Sequence, residues 1–213
     1  MQRLRVSFSR GDELRFLSHL DLMRLWERAF RRAGLALAYS EGFSPHPRIS
    51  LAAPLSVGMT SEAELMDVVL SRWLSPQVFV TQVAGQLPEG LTIRDVQSVS
   101  LEGPSLQAQV HFAEYQVEVE TAMNAADLAA AIRSLLAATE LPWQHQRDTG
   151  VHHYDLRPLV DEVWLIGLQD SWCTLGMRLL CSSSGAGRPE QVTKAMGLPQ
   201  RPRAIHRTRL ILS

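Results

Sequence analysis

The sequence SHLDLMRLWERAFRRAG, residues 18–34, decides the fold of the first half of the chain, because it predicts an amphipathic helix with both ends marked. Ser18 is a favoured N-cap residue and Gly34 a favoured C′ residue, so we expect a helix from His19 to about Ala33. Apolar residues recur at helical spacing and form one stripe: Leu22, Leu25, Trp26, Ala29 and Ala33. Such a stripe packs against a hydrophobic core.

The opposite face of this helix is rich in arginine, with Arg24, Arg28, Arg31 and Arg32. Guanidinium groups match phosphate geometry, so a net positive stripe suits a nucleic acid. The alternative is an ordinary solvated surface, since Glu27 lies one helical turn before Arg31 and can pair with it.

The first turn of the helix contains His19 and Asp21. A carboxylate is favoured there by the helix dipole, and capping alone explains Asp21. His19 joins a functional site only if the loop described next folds back over this end of the helix.

Residues 39–58, YSEGFSPHPRISLAAPLSVG, form what we call the proline loop. Pro45 and Pro47 fix φ on both sides of His46 and reduce the entropy lost when its ring is presented. With Phe43 and Arg48 nearby, the loop is suited to hold a cationic hydrogen-bond donor toward an anion. The alternative is that the prolines only steer the chain between two strands while His46 bonds to a backbone carbonyl.

The remaining pattern predicts an α+β fold of two tandem ferredoxin-like (split βαβ) domains with antiparallel sheets. Strands are expected at residues 4–8, 35–40, 49–53, 62–70 and 91–99, with a second helix at 76–86. Beyond the Gly103-Pro104 boundary, strands are expected at 110–119, 141–146, 151–168, 172–180 and 205–212, with helices at 124–139 and 189–196. The predicted domains are residues 1–103, which include the proline loop, and 104–213.

The composition is that of an ordinary globular protein, since 46% of the 213 residues are hydrophobic and 20% are charged. No apolar run reaches the roughly 18 residues of a membrane span, and the N-terminus lacks a signal-peptide h-region, so we expect a cytoplasmic location. The net charge of −1 is unevenly distributed: residues 1–48 carry nine arginines and five acids, the rest twelve bases and seventeen acids. Positive charge therefore concentrates where the arginine helix and proline loop lie.

Catalytic and metal-binding signatures are missing from the sequence. There is no GxSxG elbow, no HExxH motif and no recognisable cysteine–histidine pair. The two cysteines, Cys173 and Cys181, match no iron–sulfur or zinc pattern. We therefore expect a binding protein without a metal rather than a stand-alone enzyme.

The stretch RFLSHLDLMRLWERAFRRAGLALAYSEGFSPHPRISLAAPLSVGMTSEAELMDV, residues 15–68, resembles the radical-SAM-linked protein family, a bacterial domain of unknown function. Members of that family are fused to, or encoded beside, B12-binding radical SAM proteins. The positions that match the family are Phe16, Ser18, His19, Asp21, Arg31, Tyr39, Ser40, Gly42, Phe43, Pro45, His46, Pro47, Ser56 and Gly58. The resemblance implies an accessory role beside a partner that uses S-adenosylmethionine, an iron–sulfur cluster and B12, none of them bound by this chain.

These observations lead to one hypothesis and two alternatives. The hypothesis is an RNA-binding protein that works with the radical SAM enzyme in RNA modification or processing; its RNA- or anion-binding residues are Arg24, Arg28, Arg31, Arg32, Tyr39, Phe43, His46 and Arg48. The supporting residues are His19, Asp21, Ser40, Gly42, Pro45, Pro47, Ser56 and Gly58. The alternatives are a docking module for that enzyme without nucleic-acid contact, and a metal-independent endoribonuclease that uses His46 with a second group such as His19.

Overall fold

The structure, a computed structural model, describes residues 1–147, 150–198 and 201–213. The chain divides into two compact units, Met1–Val110 and His111–Ser213. Both units combine α-helices with antiparallel strands, so the predicted α+β class is confirmed. In the described part of the chain, no helix is long and apolar enough to cross a membrane.

The first unit is a sheet with two longer helices. Its elements are β1 (Gln2–Arg10), α1 (His19–Arg32), β2 (Ile49–Leu51), β3 (Thr60–Leu70), α2 (Pro76–Ala84), β4 (Leu91–Val99) and the short α3 (Leu106–Gln109). β1 lies between β4 and β3, β2 pairs with the other edge of β3, and all three pairings are antiparallel. Counted along the chain, the strands of this unit therefore lie in the order fourth, first, third, second.

Helix α1 forms as its sequence predicts and packs on β1 through aromatic rings. Trp26 is fully buried, with its ring centroid 5.1 Å from that of Phe8 and 5.3 Å from that of Phe30. Phe30 widens the buried stripe beyond the predicted one, while Leu25 and Ala33 are only partly buried. Aromatic pairs at these separations stabilise a core beyond their buried area.

The strand predicted over residues 35–40 is wrong. This segment is extended but forms only isolated bridges, from Leu37 to Leu70 and from Tyr39 to Pro47. Its backbone hydrogen bonds are divided between two partners: the Ala38 amide donates to the Val69 carbonyl at 2.8 Å, and the Ala38 carbonyl accepts from the Arg48 amide at 2.8 Å. The segment is therefore fixed to the sheet without forming a continuous ladder with either partner.

The residues around α3 are held to the first unit by side-chain hydrogen bonds to backbone carbonyls. Arg3 Nη2 donates to the Pro104 carbonyl at 2.9 Å, and Gln107 Nε2 donates to the Leu51 carbonyl at 2.8 Å. The division between the compact units accordingly follows Val110, whereas the sequence pattern placed a boundary at the preceding Gly-Pro pair.

The second unit has the same succession of long elements with a hairpin inserted. Its elements are β5 (Val110–Glu120), α4 (Ala125–Ala137), β6 (Pro142–Arg147), β7 (Gly150–Asp155), β8 (Val160–Gln169), β9 (Trp172–Ser182), β10 (Gly185–Ala186), α5 (Pro189–Ala195) and β11 (Ala204–Leu212). β9 pairs antiparallel with β5 and β8, β11 lies on the other side of β5, and β6 and β7 form a separate hairpin. A 3-10 turn at Arg157–Leu159 separates β7 from β8, so the single strand predicted over 151–168 is two strands.

Candidate nucleic-acid interface

The N-terminus of α1 is capped by a reciprocal pair. The Ser18 hydroxyl oxygen accepts from the Asp21 backbone N–H at 3.2 Å, and the hydroxyl donates to Asp21 Oδ2 at 2.7 Å. Asp21 also forms an exposed ion pair with Arg24, with 3.5 Å between Oδ1 and Nη1. Asp21 therefore has a structural role, and it partly neutralises the first arginine of the helix face.

The arginine face of α1, which comprises Arg24, Arg28, Arg31 and Arg32, is exposed to solvent along its length. Arg32 Nη2 donates to the Gln86 carbonyl at 2.8 Å. Among the residues that the structure describes, neither Arg28 nor Arg31 has an ion-pair or hydrogen-bond partner, so the possible pair between Glu27 and Arg31 does not form. The helix thus presents two guanidinium groups without a partner, and these are free to bind an external anion.

The tip of the proline loop is closed by two hydrogen bonds between the same residues. The His46 backbone N–H donates to Ser40 Oγ at 3.0 Å, and the Ser40 backbone N–H donates to the His46 carbonyl at 2.9 Å. Gly42 has a φ of 125°, a conformation that L side chains rarely adopt. The loop therefore turns sharply between Ser40 and His46 and is held at its base by the Tyr39–Pro47 bridge.

This closed tip places aromatic and basic side chains in solvent. Phe43 is fully exposed and Tyr39 is about half exposed. His46 and Arg48 are exposed as well. Arg48 Nη1 lies 3.8 Å from the Met1 sulfur, a weak contact that leaves its other donors available.

The supporting residues divide between the two ends of β3. The Gly58 amide donates to the Arg15 carbonyl at 2.7 Å, which places the Ser56–Gly58 end of the proline loop beside the N-terminus of α1 and His19. The tip of the loop lies at the other end, where the Val69 amide donates to the Arg48 carbonyl at 2.9 Å.

These two ends of β3 are roughly 34 Å apart at about 3.4 Å per strand residue. At the tip end, the structure brings together Tyr39, Ser40, Gly42, Phe43, Pro45, His46, Pro47 and Arg48. The other end holds Ser56, Gly58, His19 and Asp21. Helix α1 begins at this second end, and its arginine face extends away from it.

Sequence reasoning missed Arg10, which organises the end of the unit near the N-terminus of α1. Its guanidinium is almost completely buried, and Nη2 donates to the carbonyls of Ser56 at 3.1 Å and Met59 at 2.9 Å. A third, longer bond reaches the Arg15 carbonyl at 3.4 Å. The sequence carried a signal for this role: Arg10 continues the inward-facing series of Leu4, Val6 and Phe8 in β1. A buried charge at such a position needs several hydrogen-bond acceptors.

The second unit has a cluster of three acidic side chains around Arg178. Arg178 pairs with Glu114 at 2.9 Å, with Glu162 at 3.3 Å and with Asp161 at 3.4 Å. The hydrogen bond that Arg178 donates to the Glu114 carboxylate raises the pKa of the Arg178 guanidinium. Within the described ranges, no three His, Cys, Asp or Glu side chains are grouped so as to hold a metal ion.

Comparison by sequence places the chain in a bacterial family. A family model described as "Uncharacterized protein conserved in bacteria (DUF2344)" matches residues 3–189. The chain belongs to this family. The DUF2344 match extends from β1 to the start of α5, so it includes the arginine helix and the whole proline loop. No curated protein matches the sequence.

Comparison by structure relates this DUF2344 protein to chains from two solved complexes by fold alone. A chain from a Cbf5-Nop10-Gar1 complex aligns with a TM-score of 0.53 at 8% identity, covering 98% of this chain and 48% of that chain. A chain from an H/ACA RNP bound to a substrate RNA containing 2′-deoxyuridine aligns with a TM-score of 0.52 at 9% identity, covering 98% of this chain and 47% of that one. The DUF2344 protein thus spans about half the length of the chains it matches.

Proposed function

We propose that this DUF2344 protein binds RNA through the arginine face of α1 and the tip of the proline loop. The observation that carries the proposal is the pair of exposed guanidinium groups, Arg28 and Arg31, that have no partner in the described part of the chain. The fold gives further support, because one of the structures that share it is an H/ACA RNP bound to a substrate RNA.

The side chains have distinct roles in this proposal. Arg24, Arg28, Arg31 and Arg48 contact phosphates, since guanidinium forks bind phosphate oxygens in pairs. Phe43 or Tyr39 stacks on a base, because exposed aromatic rings on a rigid loop are the usual platform for single-stranded RNA. His46 donates a hydrogen bond to a phosphate or a base edge.

The proposal is tested by filter binding of the purified protein to total small RNA at two salt concentrations. Four phosphate contacts predict a log–log salt slope of roughly −3 for single strands, at about −0.7 per contact. The double variant His46→Ala/Arg48→Ala is expected to lose most of the binding. Arg133→Ala, an exposed arginine on α4 of the second unit, is the matched control and retains it. A slope near zero contradicts the proposal.

The partner and the finer fold are further parts of the proposal. The strand order of each unit, with β4-β1-β3-β2 in the first and β11-β5-β9-β8 in the second, supports tandem ferredoxin-like domains.

In keeping with the family resemblance, the protein presents RNA to a B12-binding radical SAM enzyme in the cytoplasm, and that enzyme carries the S-adenosylmethionine, iron–sulfur and B12 chemistry. Co-purification of the two proteins that increases when RNA is added tests this arrangement.

A second function, docking to the enzyme without nucleic acid, is favoured by one observation. Phe16, Leu20 and Val57 are 69%, 64% and 55% exposed, and Val57 precedes the glycine that bonds to the segment before α1. Exposed apolar patches mark protein interfaces. This function predicts a salt-tolerant complex that Leu20→Ser disrupts and that Arg28→Ala leaves unchanged.

The endoribonuclease alternative requires a second proton-transfer group within hydrogen-bond reach of the scissile phosphate and His46. His19 lies toward the other end of β3, so this pairing has no geometric support in the first unit. Cleavage that persists in His46→Ala excludes a general acid–base role for that histidine.

A further inference from the structure

A groove beside the arginine face of α1 contains two of its arginines. Its volume is about 550 Å³, and it lies between the second half of α1 and the segment after α2. Arg28 and Arg32 form one side of it, and Gln86, Leu87 and Pro88 form the other. The arginine face thus has a concave margin, and is not flat throughout.

Arg32 is held in place in this groove and Arg28 is not. The bond from Arg32 Nη2 to the Gln86 carbonyl, at 2.8 Å, fixes the planar guanidinium and leaves its remaining N–H groups for another acceptor. Arg28, one turn earlier on the same helix, has no partner within the described residues. A fixed donor beside a movable one is suited to bind an anion at two points.

The groove also lies at the C-terminus of α2, where unpaired carbonyl groups would repel an anion. Two of these carbonyls have donors: the Val83 carbonyl accepts from the Gln86 amide at 2.9 Å, and the Ala84 carbonyl accepts from the Leu87 amide at 3.3 Å. The negative end of the helix is therefore partly covered, and Arg28 and Arg32 are the charged side chains that line the groove.

The groove also has an apolar part of its lining. Leu25 and Leu87 are partly buried, and Pro88 is exposed. A lining that is cationic in one part and apolar in another matches a nucleotide, whose phosphate requires donors and whose sugar and base present flat, weakly polar surfaces.

We infer that this groove is a nucleotide subsite for single-stranded RNA: Arg28 and Arg32 bind one internal phosphate, and the adjoining sugar or base packs on Leu87 and Pro88. The inference rests on the proposed RNA-binding function and specifies the class of RNA. A nucleotide must leave its stack to enter a groove of this size, which a paired A-form helix does not permit without melting.

Gly85 offers a test that leaves both arginines intact. Its φ is −70°, and a Cβ built on it meets nothing within 4 Å, so a side chain is tolerated at this position on the groove wall. Gly85→Glu introduces a carboxylate beside the two guanidinium groups, whereas Gly85→Gln introduces the same shape without the charge. Ser134→Glu and Ser134→Gln, on the exposed side of α4, are the matched pair for a general charge effect.

The probes are a fluorescein-labelled heptauridylate and a blunt RNA duplex of equal length, with binding followed by fluorescence anisotropy. The wild-type protein is expected to prefer the single strand. We expect Gly85→Glu to bind it roughly tenfold more weakly than Gly85→Gln, the size of one lost charge-assisted contact. The salt slope of Gly85→Glu is expected to fall by about 0.7 relative to Gly85→Gln. The two Ser134 variants are expected to bind alike.

The outcomes separate this inference from the function on which it rests. If the wild type binds the single strand and His46→Ala/Arg48→Ala does not, but the two Gly85 variants bind equally, the groove is not a phosphate site and the proposed function stands. Equal affinity for duplex and single strand likewise overturns the inference alone. If the wild type binds neither RNA at either salt concentration, the proposed function and the inference both fail.

Discussion

Ser40 and His46 bond to each other twice: the Ser40 side chain accepts from the His46 amide, and the His46 carbonyl accepts from the Ser40 amide. The sequence suggested that Pro45 and Pro47 alone fix the loop. The prolines restrict the chain on either side of His46, but the hydroxyl of Ser40 closes the turn. The exposed Phe43 and the His46 ring are therefore presented by a small closed structure with few alternative conformations.

Ser40→Ala tests this closure. The variant removes the acceptor for the His46 amide, and we expect it to lower the free energy of unfolding by about 0.5–1 kcal/mol, because water replaces the lost partner at this exposed site. RNA affinity is expected to fall a few-fold, since a looser loop loses more entropy on binding. Hydrogen exchange of the His46 amide, measured by NMR, is expected to become faster.

The control for this variant is Ser44→Ala. The Ser44 hydroxyl lies in the same loop and makes no hydrogen bond within the described residues, so exchange at His46 is expected to stay as in the wild type. Equal exchange rates in Ser40→Ala and Ser44→Ala contradict the proposed closure.

The elements of the fold could be predicted where local signals agreed. Ser18 and Gly34 mark the ends of α1, and Pro76, which is favoured at the first helical position, marks the start of α2; both helices begin where the sequence predicts them. The strand over residues 35–40 failed because its backbone bonds to two partners, Val69 and Arg48, and no local pattern reveals which residues a strand will face. The short helix α3 was also missed, because four residues carry too little periodicity to recognise.

The candidate site was predicted as a set of residues but not as an arrangement. The outward position of the α1 arginines follows from helical periodicity. The distance of Ser56 and Gly58 from His46 does not, because it depends on the register of β2 against β3 and on the bond from Gly58 to Arg15. Arg10 shows the same limit, since its three carbonyl partners come from two segments that are far apart in the chain.

Arg31→Ala is expected to reduce the salt dependence of RNA binding. If Arg31 contacts one phosphate, its removal makes the log–log slope less steep by about 0.7 for single-stranded RNA. Arg133→Ala, on the exposed face of α4, is the matched control and leaves the slope unchanged. The slope is measured by filter binding between roughly 50 and 200 mM salt, a range wide enough to resolve it. If Arg31→Ala and Arg133→Ala have the same salt slope, Arg31 does not contact a phosphate.

Asp67→Asn is expected to destabilise the first unit strongly. Asp67 is almost fully buried and accepts from Arg3 Nε at 2.8 Å and from Arg5 Nε at 2.9 Å. The neutral amide leaves two largely buried guanidinium groups without their counterion, which costs about 3–5 kcal/mol. Denaturant titration followed by tryptophan fluorescence measures the loss.

Asp12→Asn provides the comparison for Asp67→Asn. Asp12 pairs with Arg15 at 3.0 Å, but both side chains are well exposed, so the change is expected to be within about 0.5 kcal/mol. If the two variants differ little, the cluster at Asp67 is solvated in solution and contributes no more than a surface pair.

The two cysteines are expected to differ in reactivity. Cys173 is fully buried, and burial raises the pKa of its thiol, whereas Cys181 is partly exposed on the same strand. Because the thiolate is the reactive form, native Cys181 should react with Ellman's reagent well before Cys173. Because the pKa is raised in the folded state, the unfolded state loses the Cys173 proton first as the pH rises. The contribution of Cys173 to the free energy of unfolding is therefore constant below the ordinary thiol pKa and decreases above it, so stability should fall in alkali. Cys173→Ser, whose hydroxyl does not ionise in this range, should remove that part of the alkaline loss.

A pair of glycine substitutions tests backbone strain at two positions where an added methyl group meets no neighbour. Gly34 and Gly85 follow α1 and α2, and a Cβ on either meets nothing within 4 Å, but their φ values are +69° and −70°. Gly34→Ala is expected to destabilise the protein by about 1–2 kcal/mol, because an L side chain is strained in the left-handed region. Gly85→Ala is expected to stabilise it by about 0.4–1 kcal/mol, because alanine reduces the entropy of the unfolded chain. Both variants add the same methyl group, and thermal unfolding measures the difference between them. If their melting temperatures shift in the same direction, φ at Gly34 or at Gly85 differs from the values given.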